Sequence, residues 1–357
     1  MKQTNKILLA ATLLAAALAA GPAAAQTSVK IAYPPAWSAV EAAIPFGDTL
    51  GFFKEEGLKL EYVSVQGTAV LLPQVANGSV EFGIMNADLA VIAAAKKEAF
   101  PVKFFYNFYP RHIFEFAVLA DSPIKELKDL KDKTLGVGAL TWGNLPMSRL
   151  MLRDAGLTWM KDVKVVPVGV GPASWQRLKS GSVDALNLPV TQHEMMAQAG
   201  TAIRRLPIPA EFQDVFSNGI ATSDALIAKN PKLVEAMGRA VAKSQVACLA
   251  NLEACVRAYW QIDPSAKPPA AQEADWIRTY VAVNSRTAEI GKIAERDGRH
   301  GQYTEQDWRN FVAKMKDGEQ IGNVDFDLSA LYTDQFVKGF NAFDLEQVRA
   351  QARGVKQ

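Results

Sequence analysis

Histidine and cysteine are scarce here, three and two residues in a chain of 357. His112, His193 and His300 lie far apart, and none has a partner at a metal-binding spacing such as His-x3-His. No Gly-x-Ser-x-Gly elbow occurs, so the usual seat of an activated serine is missing too. Neither a bound metal nor a cofactor is therefore expected. Long apolar runs are absent after the first residues, which argues against a polytopic membrane protein. An excess of either charge is also missing, and with it the basic footprint of a nucleic-acid or membrane-surface binder.

What is present begins with an address. Lys2 and Lys6 precede an apolar run from Ile7 to Ala20, and Ala23-Ala24-Ala25 supplies the small residues that a signal peptidase needs. Cleavage is expected between Ala25 and Gln26, leaving 332 of the 357 residues. No cysteine at that point invites a lipid. The leader holds two of the 39 basic residues and no acidic ones, so the mature chain balances 37 against 37. An exported protein in an oxidising compartment, the periplasm, is expected, with room for two lobes. Hydrophobic residues at 49% and charged ones at 21% suit an ordinary globule.

Cys248 and Cys255 are seven residues apart, about 10 Å on one unbroken helix and too far to bridge. Ala250-Asn251-Leu252-Glu253, however, reads as a helix end followed by an Asn-capped start. A turn there brings the thiols together, and a disulfide that staples without redox chemistry is expected.

A β/α rhythm runs from Val29 to about Leu188. Val29–Tyr33 reads as a strand stopped by Pro34-Pro35, and Ser38-Ala39-Val40-Glu41 as a capping box. Leu58–Val63 alternates as a second strand. A helix to Asn77 ends at Gly78, and Val80–Ile84 follows as a third strand. Asn86 is placed to cap the next helix, with Asp88 in its first turn. The rhythm then repeats through Leu135–Gly138, a helix opened by Asn144 and Pro146, Val163–Val168, a helix from Gly171-Pro172, and Val183–Leu188. Short strands alternating with short helices predict parallel sheets with covered faces, and two such sets predict two α/β lobes. Beyond Ile220 the pattern is helical, led by Pro231–Leu249.

Five stretches carry a resemblance. They are Gly51-Phe52-Phe53-Lys54-Glu55-Glu56-Gly57-Leu58, Gly78-Ser79-Val80-Glu81-Phe82-Gly83-Ile84, the run from Leu127 to Val137, Leu178-Lys179-Ser180-Gly181-Ser182-Val183-Asp184-Ala185, and Leu331-Tyr332-Thr333-Asp334-Gln335-Phe336. In this order and spacing the chain resembles the periplasmic substrate-binding proteins of ABC importers for sulfonates, taurine, nitrate and thiamine-pyrimidine precursors. These share a fold with fungal thiamine-pyrimidine synthases. Asp132 stands where the family commonly has glycine, and Pro73 interrupts a helix.

The resemblance implies a two-lobe periplasmic-binding-protein fold of type II, with the ligand in the interlobe cleft and extra C-terminal helices. Lobe one would hold residues 29–112 plus 222–350, and lobe two residues 113–221, joined by crossings near His112–Leu119 and Val215–Ser223. Such a clamp closes by hinge motion and signals occupancy to a membrane permease. A monomer that binds a small molecule and docks on an ABC permease is the implied function. The alternatives are a sensory partner of a membrane kinase and a pyrimidine-synthase-like enzyme. The second lacks the clustered cysteines of the fungal synthases and conflicts with the leader.

Ligands in open α/β sheets bind beyond the C-terminal strand ends, at helix N-termini. This selects Tyr33, Trp37, Ser38, Gly67, Thr68, Asn86, Thr141, Trp142, Gly143, Asn144, Gly171 and Thr191. Several have a second explanation: Trp37 as a rim cover, Asn86 as a helix cap, Thr191 as a turn contact. Asp88 would repel an anion unless it faces away. Arg111, at the first crossing, is suited either to a carboxylate or to an interlobe salt bridge. The aromatic loops favour an organic ligand, an anion or an aromatic or heterocyclic molecule, with a ring between Trp37 and Trp142.

Overall fold

The computed structural model describes residues 26–355, apart from 35, 36, 99, 294, 297, 319 and 323. The expected leader and its cleavage site before Gln26 involve residues 1–25, which lie outside the described residues.

Ten strands form two five-stranded sheets. The first contains β1 (Thr27–Tyr33), β2 (Leu58–Ser64), β3 (Phe82–Asn86), β4 (Val102–Asn107) and β10 (Asn218–Ser223), in the order β2-β1-β3-β10-β4. The second contains β5 (Phe114–Leu119), β6 (Lys133–Val137), β7 (Val163–Pro167), β8 (Ala185–Pro189) and β9 (Ile203–Arg205), in the order β7-β6-β8-β5-β9. Each is parallel through its first three strands and antiparallel beyond. Both are therefore mixed sheets, not the purely parallel ones that the rhythm predicts. The antiparallel member comes from the chain crossing between lobes, an interruption that local periodicity does not register.

Local chemistry explains most element ends. In β1, Val29 and Ile31 are buried while Ser28 and Lys30 are exposed, the alternation of a strand with one covered face. The helix Thr68–Ala76 ends before Gly78, whose φ of 76° is open to glycine without strain. Asp132, at the position where glycine is common, adopts φ of 59°. Aspartate tolerates this region better than most side chains, so the tight turn into β6 survives the replacement.

Two readings need correction, and that of Asn144, which does open its helix, needs refinement. Asn86 is the last residue of β3 and caps nothing; Ala87 occupies the N-cap position of the helix Asp88–Ala95. Asn144 sits at the N-cap of Leu145–Asp154, but its side chain turns away from the helix amides to Ser148 and Asn187. Residues 218–221, assigned to the second lobe by the sequence pattern, belong to β10, which bonds to β3 and β4 of the first sheet.

The C-terminal layer spans both sheets' neighbourhoods. Pro231–Ala250 packs on Ala43–Thr49 of the first lobe and on Leu345–Arg353. Ala270–Ile290 packs on Val190–Gln198, and Glu305–Asp317 on Leu145–Asp154, both helices of the second lobe. Cys248 and Cys255 are disulfide-bonded across the break at Asn251, whose side chain accepts from the Ala254 amide and starts Leu252–Ile262. Among the described residues no helix is long and apolar enough to cross a membrane.

Candidate functional site

The chain passes between lobes twice, through 108–113 and through 206–217. The two passages run side by side: Tyr109 N donates to Asn218 O at 2.8 Å, and Ser217 N donates to Tyr109 O at 2.9 Å. Arg111 on one forms an ion pair with Asp214 on the other. Arg111 therefore ties the hinge and is not part of the cleft, the salt-bridge alternative of the two offered by its sequence position.

Opposite the hinge the lobes touch. Thr141 Oγ1 donates to Gln66 O at 2.6 Å, Ala69 N donates to Thr141 O at 3.3 Å, and Met147 N donates to Asp88 Oδ1 at 3.2 Å. Gly67 has a φ of 120°, and a Cβ there would meet Thr141 Oγ1 at 2.8 Å. Gly143 faces Thr68 and Asn86 with the same lack of room. Glycine at both points is what lets the lips meet, so the two sheets' loops are in direct contact opposite the crossings.

Between hinge and lips lies a cavity of about 150 Å³. Its walls include Tyr33, Trp37, Ser38, Thr68, Asn86, Trp142, Gly143 and Thr191, eight of the twelve residues selected from strand ends. The other four surround it without lining it. Gly67 and Thr141 form the lip contact, and Asn144 is buried in a network with Ser148 and Asn187. Gly171 N donates to Gln192 Oε1 at 2.7 Å, which holds Gln192 at the wall.

Nine further wall residues lie outside those twelve: Pro34, Val40, Glu41, Ile113, Phe114, Val170, Pro189, Gln192 and Asn218. Ile113, Phe114 and Asn218 come from the crossings, so they reach the cleft only once both passages are folded. Glu41 reads in sequence as the second half of a capping box, and it is one: its carboxylate accepts from the Ser38 amide at 3.1 Å and hydroxyl at 2.7 Å. The local motif concealed that the same carboxylate faces the cavity.

Packing fixes the aromatic walls. Trp37 Nε1 donates to Val63 O at 2.9 Å, and its ring stands edge-on to Tyr62 with centroids 5.0 Å apart. Trp142 lies on Gly138, where any Cβ would overlap the indole, and its ring is 6.2 Å from Phe114. Both indoles are over nine-tenths buried with one face on the cavity wall. Both therefore stand at the strand ends where the sequence places them, and both line the cavity.

The electrostatics are unusual for a cleft. Burial pushes the Glu41 carboxyl up to about 7, against the opposing hydrogen bonds of Ser38 and Tyr33. Burial does the same to Asp88, also to about 7, against its backbone hydrogen bonds, among them Met147 N. Asp88 thus faces the lip contact and does not line the cavity. His112, behind the wall, is held down at about 4 by burial, Glu115 opposing. None of the three histidines lines the cavity, and no metal-binding cluster occurs among the described residues.

Comparison with known proteins places this geometry. Residues 41–254, well over half the chain, match the model of the family described as NMT1/THI5 like. No curated protein sequence matches. A solved structure from Bordetella bronchiseptica RB50 superposes with a TM-score of 0.70 at 18% identity, covering 88% of this chain and 97% of that one. The periplasmic sulfonate-binding protein SsuA of Methylobacillus flagellatus KT gives 0.57 at 20% identity, over 88% and 94%. The desulfurization enzyme DSZB gives 0.52 at 14% identity, over 87% and 98%. One fold thus serves a binding protein and an enzyme, and the site has to separate them.

Proposed function

Since the chain belongs to the NMT1/THI5-like family, we propose that it is the periplasmic solute-binding component of an ABC importer, capturing a small organic molecule by clamp closure. One observation supports this reading: a cavity of about 150 Å³ lies between the two chain crossings and a set of lip contacts made through glycine. A cavity of that size holds about one six-membered ring. The binding-protein neighbour supports the same role, and so does the N-terminal leader pattern.

Enzymatic turnover is the weaker reading. The cleft offers no histidine, cysteine, lysine or arginine among its described wall residues, and Glu41 has no second acid or base in the cavity beyond Tyr33. A sensory role beside a membrane kinase would use the same clamp. Lobe one, residues 27–107 with 218–229 and the helices packed there, and lobe two, residues 114–205, would move as rigid bodies in a monomer.

Mass spectrometry of molecules released from freshly purified protein identifies the solute. Its uptake by intact cells should fall when the chain is deleted. Unchanged uptake, with a changed transcriptional response, would move the assignment to the sensor.

A further inference from the structure

The carboxylate of Glu41 is 4% exposed and borders the cavity. Its neighbours from every side are neutral. Ser38 binds it from its own turn, Tyr33 from β1, and the rings of Tyr109, Tyr259 and Tyr280 approach from the first crossing and the C-terminal helices. No lysine, arginine or histidine acts on it. Buried carboxylates are normally paired with a cation, because an unpaired one costs several kcal/mol. This one has no such partner among the described residues.

The rest of the wall is what a cation would want. Tyr33, Trp37, Phe114 and Trp142 present four aromatic side chains, and an ammonium over such faces gains about 0.5–2 kcal/mol per contact. Described wall residues include no positive side chain, so a sulfonate or carboxylate would meet Glu41 without compensation. We propose that the cleft takes a small organic cation, an ammonium or amidinium carried on a single ring, with Glu41 as counter-ion and the aromatic walls around it. This rests on the solute-binding reading above; it keeps the ring expected on sequence grounds and departs from the anionic alternative.

A consequence follows for protons. Glu41 is partly protonated near neutral pH in the empty protein, and a bound cation favours its ionised form. Binding of a cation near or somewhat below pH 7 therefore releases a proton, whereas binding of an anion near or above pH 7 takes one up.

Calorimetry with three probes of nearly equal shape tests this: benzylammonium, benzyl alcohol and benzoate. Benzylammonium should bind at least about tenfold tighter than benzyl alcohol, with benzoate weakest, since a hydrogen bond to a charged group contributes roughly 1.5–3 kcal/mol. Glu41→Gln should erase the advantage of benzylammonium over benzyl alcohol. Titrations in two buffers of different ionisation enthalpy should show proton release for the wild type only. If Glu41→Gln does not fold, Trp142→Leu should weaken benzylammonium severalfold, and the proton release still decides.

Benzoate binding as tightly as benzylammonium, or release of an anionic molecule from purified protein, overturns the cation while leaving the solute-binding reading intact. If no probe binds and nothing is released, both fall together. A cation released from the protein supports the proposal even where benzylammonium itself is too poor a mimic to bind.

Discussion

Asp88 of the first lobe accepts a hydrogen bond from the backbone of Met147 in the second, 3.2 Å from N to Oδ1. Met147 lies in the first turn of the helix Leu145–Asp154, so the acceptor sits at the positive end of that helix. This carboxyl is buried, and burial pushes it from 3.8 up to about 7. A raised carboxyl binds its proton more tightly in the folded form than in the unfolded chain, so folding is favoured at low pH and loses stability as pH rises toward about 7. Glu41 contributes with the same sign from 4.5 to about 7. Thermal stability of the empty protein should therefore fall by a few kcal/mol, in order of magnitude, between about pH 4 and pH 7. Asp88→Asn keeps an acceptor for Met147 and should flatten this slope; an unchanged slope in the double variant with Glu41→Gln would exclude both groups as its source.

The disulfide closes a short loop, Cys248 to Cys255, at the break between two helices of the C-terminal layer. The chain-entropy account gives about 2 kcal/mol for a loop of this length. The pair Cys248→Ala and Cys255→Ala should lower the denaturant midpoint accordingly. Asn251 still caps Leu252–Ile262 through the Ala254 amide, so the helix break itself should persist in the circular dichroism spectrum.

Arg111 and Asp214 join the two crossings, yet their side chains are 36% and 67% exposed. Exposed pairs are worth about 0–1 kcal/mol and are screened by salt. Arg111→Ala should change unfolding free energy by no more than that and leave ligand affinity within about twofold. A loss of affinity much larger than this, measured by calorimetry, would mean that Arg111 reaches the ligand after all.

How much of this was legible beforehand depends on whether the cause was local. Ser38 and Glu41 as a capping box, Gly78 as a helix stop and Asn251 as a new start are short-range hydrogen-bond chemistry, and each is found where its motif lies. Tyr33, Trp37, Thr68, Trp142 and Thr191 follow from one general rule about strand ends, and they meet in one cavity. Phe114 and Asn218 escaped the rule because they reach the cavity from the two crossings, which are adjacent in space but about a hundred residues apart in the chain. Asn86 was half misread for a related reason: its Nδ2 donates to Ser217 Oγ at 3.4 Å, a partner no local pattern reveals, so a helix cap stood beside the cavity-wall reading as a second explanation. Glu41 shows the converse, a local role that is correct and incomplete.

Gly143 offers a direct test of the clamp. A Cβ at this position would lie 2.8 Å from Thr68 Oγ1 and 3.0 Å from Asn86 Cβ, both on the opposite lobe. Threonine 68 is 1% exposed and Asn86 7%, so neither has room to withdraw while the lips remain shut. The strain of such an insertion is about 1–3 kcal/mol in a packed interior. It falls only on the closed form, because the contact exists only between lobes. Gly143→Ala should thus weaken ligand binding by about tenfold, the equivalent of roughly 1.4 kcal/mol, and shift small-angle scattering of the liganded protein toward a more open particle. Stability of the ligand-free protein should stay nearly unchanged, since opening the clamp relieves the clash without unfolding either lobe. A variant that loses stability without ligand but keeps its affinity would place the strain within the second lobe, and the lip contact would then not be what holds the clamp shut.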